Sequence, residues 1–268
     1  MNNALTNYLE DGLMNHLFHA STTYTPAATI YLGLLSALPD DTGGVEVTYT
    51  NYIRKSIAFN AAGADATREI WQSIADVTFP QCGVTGDTAT HWALYDAETA
   101  GNMLSYGALT APKVIAENNT PSIAGGQVKL TAPANEMSDY LAETILDFAF
   151  KNQAFAKPDK YLFLSTTDLT TADTGTTIKA SEPANGYLRK QVTAWTVTSN
   201  AAENTSEESF PTPSGSWGAI TAVGIADNTF ADGGNVLFFD NTPTGEGQAP
   251  GTGDTVKFSA GSFDVSLD

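Results

Sequence analysis

Thr90-His91-Trp92-Ala93-Leu94-Tyr95-Asp96, followed by Gly101-Asn102-Met103-Leu104, is the stretch from which the rest of the chain can be read. The same grammar returns 131 residues later as Thr221-Ala222-Val223-Gly224-Ile225-Ala226-Asp227, then Gly234-Asn235-Val236-Leu237. Each copy is a short apolar run that ends at Asp, a turn of small residues, and a second apolar run leaving from Gly-Asn. Asp, Asn and Gly tolerate the backbone angles of a reversal, so the pattern predicts strand, tight turn, strand. Its recurrence predicts one scaffold written twice.

Working outward, the repeat extends to nearly every element. Leu5, Tyr8, Leu9, Leu13, Leu17 and Phe18 form an apolar stripe at helical spacing, with Asn7, Glu10, Asp11 and Asn15 pointing away and Thr6 as a cap. Ser138, Tyr140, Leu141, Ile145, Leu146 and Phe150 repeat that helix at an offset of 132. A buried strand at 29–35 answers one at 160–165. Tyr52-Ile53-Arg54-Lys55-Ser56-Ile57 answers Tyr187-Leu188-Arg189-Lys190-Gln191-Val192, and alternation places Ile53 and Ile57 on one face with Tyr52 and Arg54 on the other. Phe79-Pro80 answers Phe210-Pro211, where each proline ends a strand. Val128-Lys129-Leu130 reads as the match of Val256-Lys257-Phe258. On that alignment only the second unit closes with an alternating terminal strand, Ser262–Leu267. The expected architecture is mainly β: two tandem β-sandwiches or partly open barrels, residues 1–134 and 135–268, each opening with one α-helix. Stretches 60–75, 111–126, 172–186 and 196–209 read as loops inserted differently in the two units.

Composition narrows the function. Charged residues are 16% of the 268, below the roughly 25% of an average domain, so Thr, Ser, Asn and Gly carry much of the surface. A net charge of −18 repels phosphate backbones and argues against nucleic acid as a partner. The single cysteine, Cys82, excludes an intrachain disulfide. No basic region followed by an apolar run marks a secretory signal, and no stretch reaches the roughly 18 apolar residues that cross a bilayer. The expectation is a soluble protein made in a cytosol, without a membrane partner.

Residues able to do chemistry are few and scattered. His16 and His19 share a helix face at i, i+3, yet Phe148 and Lys151 stand in their places in the second unit, and no carboxylate or thiol completes a metal site. No nucleophile elbow or phosphate loop is present, and the Gly-Gly pairs at 43, 125 and 233 belong to turns. The reading is therefore no enzyme, no cofactor and no metal. Arg54 and Arg189, each two residues after a Tyr, have two readings. One is an interface arginine; the other is an internal ion pair in each unit, to Asp96 and Asp227. Trp71, Trp195, Trp217, Phe230 and Phe238 fall outside the alternating pattern and are the aromatic candidates for an interface.

Taken in order, the motifs resemble a family of small phage virion proteins labelled phage tail fibre or minor tail proteins. They are an N-terminal helix, Tyr31-Leu32-Gly33-Leu34, Tyr52/Arg54 and Tyr187/Arg189, Phe-Pro, the Asp…Gly-Asn hairpin, and Gly253-Asp254-Thr255-Val256-Lys257-Phe258 through Asp268. The resemblance spans nearly the whole chain, twice, where family members are single units. It implies a structural virion component assembled in the host cytoplasm, partnered by other virion proteins and by copies of itself. A trimer of two-unit chains would present six similar domains to a six-fold ring. Two alternatives stand beside the tail or fibre role: a decoration protein on the capsid, and a carbohydrate-binding module for a host-surface glycan.

Overall fold

The computed structural model describes residues 4–19, 23–60, 69–131, 137–229, 233–241 and 248–267. Two compact units divide the chain: Met1–Leu13, Tyr24–Ala132 and Ile145–Phe155 form the first; Met14–Thr23, Pro133–Thr144 and Ala156–Asp268 form the second. Each takes part of both helices, α1 (Asn7–Phe18) and α2 (Asp139–Lys151).

Unit 1 carries β1 (Ala4–Leu5), β2 (Ile30–Leu35), β3 (Lys55–Ile57), β4 (Glu69–Gln72), β5 (Val77–Thr78), β6 (Asp87–Tyr95), β7 (Met103–Ile115), β8 (Ser122–Ile123) and β9 (Lys129–Thr131). Five of them make an antiparallel sheet in the order β1-β7-β6-β2-β3, while β4-β9 and β5-β8 are small ribbons. Unit 2 carries β10 (Tyr161–Ser165), β11 (Lys190–Gln191), β12 (Trp195–Thr198), β13 (Ala201–Asn204), β14 (Glu208–Ser209), β15 (Ala222–Ala226), β16 (Val236–Asp240), β17 (Lys257–Phe258) and β18 (Asp264–Ser266). Its main sheet runs β11-β10-β15-β16, beside a three-stranded β12-β13-β18 and a ribbon β14-β17. The protein is mainly β in two units, and no described sheet closes into a barrel.

The hairpin that organises the sequence lies in each main sheet: β6 and β7 pair as inner strands in unit 1, and β15 pairs with the last strand, β16, in unit 2. The helix start docks on it in the same way twice. Thr6 N–H donates to Leu104 O at 3.1 Å, and Ser138 N–H to Leu237 O at 3.0 Å. Ser138 also caps α2, its Oγ accepting from Leu141 N–H at 3.1 Å. The Thr6 hydroxyl departs from the expected cap and donates to Met103 O at 2.6 Å. Tyr8, expected on the buried stripe, is exposed, while Glu10 is buried.

The ribbons correct the reading of the chain's ends. Phe79 N–H donates to Pro121 O as Phe210 N–H does to Val256 O. Thr78 pairs with Ser122 as Ser209 pairs with Lys257, so β8 is the counterpart of β17. It follows that β9, pairing with β4, corresponds to β18, pairing with β13. Unit 1 therefore has a closing strand, and Val128-Lys129-Leu130 matches Phe263-Asp264-Val265. The two strands share buried flanks around a more exposed middle residue, not residue identity. Three of the supposed loops hold strands: 111–126 holds the end of β7 and all of β8, 196–209 holds the β12–β13 hairpin and β14, and 60–75 holds β4. Residues 61–68 of the last lie outside the described residues.

One pair of positions shows how the copies diverged without changing the sheet. Gly33 in β2 faces Ala93, and Tyr95 lies two residues along β6; a Cβ on Gly33 would sit 2.8 Å from the Tyr95 ring. In unit 2 the equivalent places hold Phe163 opposite Gly224, with Ala226 where Tyr95 stands. A Cβ on Gly224 would sit 2.5 Å from the Phe163 ring. One aromatic ring fills each core, delivered from neighbouring strands, and close packing leaves no room for two.

Candidate functional site

In both units the motifs singled out from the sequence converge on one buried hub. Its base is the hairpin turn. Asp96 accepts from Asn102 N–H and Asn102 Nδ2, both at 2.7 Å; Asp227 accepts from Asn235 N–H at 2.7 Å and Asn235 Nδ2 at 2.8 Å. Gly101 and Gly234 enter this clamp at φ +72° and +77°, and a Cβ on either would lie 2.3 Å from the Asp carboxylate. Only glycine satisfies both demands.

An arginine plugs the turn from within. Arg54 Nη1 donates to the carbonyls of Ala97 and Ala100 at 2.9 and 2.6 Å; Arg189 Nη1 donates to those of Asn228 and Gly233 at 2.9 and 2.5 Å. The arginine is held in turn by a glutamate: Arg54 Nη2 to Glu46 Oε1 at 2.6 Å, and Arg189 Nε to Glu182 Oε1 at 2.8 Å. The tyrosine of each Tyr-x-Arg completes the chain of bonds. Tyr52 and Tyr187 donate to Glu46 and Glu182 at 2.7 and 3.3 Å and accept from the N–H of Leu34 and Leu164 at 2.9 and 2.8 Å. Their rings stack on the phenylalanine of each Phe-Pro, Tyr52 on Phe79 at 6.2 Å and Tyr187 on Phe210 at 6.0 Å. The ring that distinguishes the two cores lies under the guanidinium, Tyr95 at 3.3 Å from Arg54 Cζ and Phe163 at 5.9 Å from Arg189 Cζ.

Burial sets the electrostatics. The side chains of Arg189 and Glu182 are 0% exposed, those of Arg54 and Glu46 9% and 26%. Burial raises the Glu182 carboxyl above the ordinary carboxylate range, against the opposing pull of Arg189. Burial also pushes the Tyr95 hydroxyl up to about 12, with the Glu46 charge adding to it. Tyr52 and Tyr187 are raised further for the same reasons. Tyr52 and Tyr187 stay protonated as donors, and each arginine's charge is balanced within its unit. Such a hub stiffens a turn.

Both arginines thus form ion pairs inside the fold, but to glutamates and not to Asp96 and Asp227, whose carboxylates are taken by the Gly-Asn backbone. The Tyr and Arg point inward, which forces the residue between them out: Ile53 is 45% and Leu188 56% exposed. Ile57, expected on the same face as Ile53, is instead buried. The aromatic candidates are likewise occupied. Trp71 is buried and its Nε1 donates to Asp147 at 2.8 Å. Trp195 packs 4.8 Å from Phe18, and Trp217 lies edge-on to Tyr187 at 5.3 Å. Phe238 is buried at 5.8 Å from Phe18. An interface through these four would require opening the core, because their faces already serve it. Phe230 lies outside the described residues.

The hubs differ in one respect. Between β2 and Glu46 the chain has residues 36–45; between β10 and Glu182 it has the longer 166–181, with a 3₁₀ turn at Ile178–Ala180. In unit 2 this loop returns over the arginine, and Gly175 O accepts from Arg189 Nη2 at 3.0 Å. In unit 1 the shorter loop leaves a cleft of about 370 Å³ lined by Asp41, Thr42, Arg54, Tyr95, Gly101 and Asn102, among others. Among the described residues no three His, Cys, Asp or Glu side chains group as a metal site, and no helix is long and apolar enough to cross a membrane.

With this geometry in hand, comparison with known families gives a specific answer. The family model described as podophage GP4 fiber I protein gp80 matches residues 4–131 and again 136–266. Those segments end at β9 and β18, the pair of strands that the ribbons identify as equivalent. Among curated proteins none matches the chain. The chain belongs to the podophage GP4 fiber I protein gp80 family, a phage fibre family, and carries its module twice.

Proposed function

We propose that this chain is a non-enzymatic building block of a phage tail or fibre, working by protein–protein assembly in the virion after synthesis in the host cytoplasm. The observation that carries the reading is the double match to a fibre family. The hub supports it, since the most elaborate polar constellation in each unit is spent on stiffening a hairpin. Two copies of one module, matched at residues 4–131 and 136–266, offer related surfaces from one chain. A homo-trimer would present six of them, matching six-fold neighbours. Ile53 and Leu188, held outward by their pinned flanking residues, are the aliphatic contacts such surfaces would use.

Quantitative mass spectrometry of purified virions, with immunogold labelling, tests this. A handful to a few dozen copies located at the tail supports the proposal. Hundreds of copies over the head would replace it with capsid decoration, and absence from particles would end it.

A further inference from the structure

The two copies make an internal comparison: one place in the scaffold is filled by the chain itself in unit 2 and left as a cleft in unit 1. The filling is a peptide loop, Thr174-Gly175-Thr176, seated through a main-chain carbonyl on the arginine. Its glycine is required by contact. A Cβ on Gly175 would lie 2.2 Å from Gly233 O and 2.6 Å from the Gly234 carbonyl carbon. Gly233 and Gly234 correspond to Ala100 and Gly101, which hold the same relation to Arg54 and Asp96. The backbone that receives the loop in unit 2 thus has its counterpart at the cleft in unit 1, with one addition: Ala100 carries a methyl which, set on Gly233, would lie 2.9 Å from the Thr176 hydroxyl.

The donor is present too. Arg189 Nη2 donates both to Glu182 Oε2 at 3.1 Å and to Gly175 O. Arg54 Nη2 donates to Glu46 alone among the described residues, and Arg54 lines the cleft while being nine-tenths buried. The charge of Arg54 is already matched by Glu46, and Asp41 adds a further negative group, so an anion gains nothing here. The Tyr95 ring lies beneath the guanidinium and offers no open face for a sugar to stack on. What the site accepts is a neutral carbonyl on a backbone thin enough to lie against Gly101.

We propose that the unit 1 cleft receives a glycine-bearing loop of a partner virion protein, which donates a main-chain carbonyl to Arg54 in the way Gly175 serves Arg189. This rests on the assembly reading and adds the chemistry of the contact. Its test is separate, because a virion component could dock elsewhere and leave the cleft unused.

The probe is a capped synthetic peptide of residues 172–180, the sequence that fills the equivalent place, titrated into the isotope-labelled full chain and followed by nuclear magnetic resonance. Expected are saturable shifts confined to the cleft residues, with affinity reduced at least tenfold by Gly175→Val in the peptide. Thr42→Trp in the chain, at an exposed cleft position, should reduce it equally without altering the melt. No binding, or equal binding of both peptides, overturns the proposal. Shifts produced by host oligosaccharides in the same residues would overturn it in favour of a sugar. Self-association of the chain that Thr42→Trp abolishes would overturn the partner as source and assign the loop to a second copy.

Discussion

Replacing Arg189 by Met tests the hub at its most buried point. The substitution keeps an unbranched stem in place and removes three kinds of bond: the pair with Glu182, the Nη1 bonds to the hairpin turn, and the Nη2 bond to Gly175. Glu182 is left as a carboxylate with no exposure and only the weaker attraction of Lys179. Breaking a fully buried pair this way costs about 3–5 kcal/mol. The same change at Arg54, whose partner Glu46 keeps a quarter of its exposure, should cost about 2 kcal/mol. The pH dependence makes the test sharper. Burial already raises Glu182 above its unfolded value of 4.5, and losing Arg189 raises it further. A carboxyl whose folded pKa exceeds its unfolded pKa takes up its proton first in the folded state, so stability rises as pH falls through the folded pKa toward 4.5. The deficit of Arg189→Met relative to wild type should therefore shrink between pH 8 and pH 5. Adding Glu182→Gln, which still accepts from Tyr187, should remove that pH dependence and recover part of the loss. The assay is equilibrium urea unfolding followed by tryptophan fluorescence at both pH values. A deficit below about 1 kcal/mol, or one equal at pH 5 and pH 8, would refute the assignment of the hub as a buried, charge-balanced brace.

Further outcomes follow from the same geometry. Gly101→Ala and Gly234→Ala should each cost about 1–3 kcal/mol in urea unfolding, because positive φ and a 2.3 Å approach to the clamp carboxylate both oppose a Cβ. Gly33→Phe alone should abolish a cooperative transition of unit 1, whereas Gly33→Phe with Tyr95→Ala, which copies unit 2, should restore it; equal damage in both would break the proposed equivalence. Lys160 donates to Leu17 O at 2.6 Å, and burial depresses its ammonium to about 8. A lysine with a folded pKa below its unfolded 10.5 penalises folding while charged, so its contribution should make stability climb from pH 8 to pH 10, and Lys160→Met should flatten that climb.

What could be read from the residues alone was what local chemistry determines. Asp…Gly-Asn carries its own turn, so the hairpin, the helices and the duplication were legible, and Tyr-x-Arg announced a paired feature. The partner of the arginine was not legible. Glu46 and Glu182 precede their arginines by unequal spacings on loops that differ between the copies, whereas Asp96 and Asp227 belong to the repeated hairpin and drew the assignment. The closing strand of unit 1 was missed because Val128-Lys129-Leu130 shares a lysine with β17, while its real counterpart in β18 shares only the pattern of burial. The tryptophans looked available because they break the alternation of the main sheets. Trp71 and Trp195 lie instead on smaller sheets, and Trp217 in a connecting segment; all are buried.

The ring that changes strands between the two cores has a genetic corollary. A crossover joining the first copy's β2 to the second copy's β15 would set Gly33 beside Ala226, leaving a ring-sized hole worth about 3–5 kcal/mol. The reciprocal product would drive Phe163 into Tyr95. Gene conversion with an end inside that interval would therefore yield a destabilised unit, a barrier that keeps the two halves distinct.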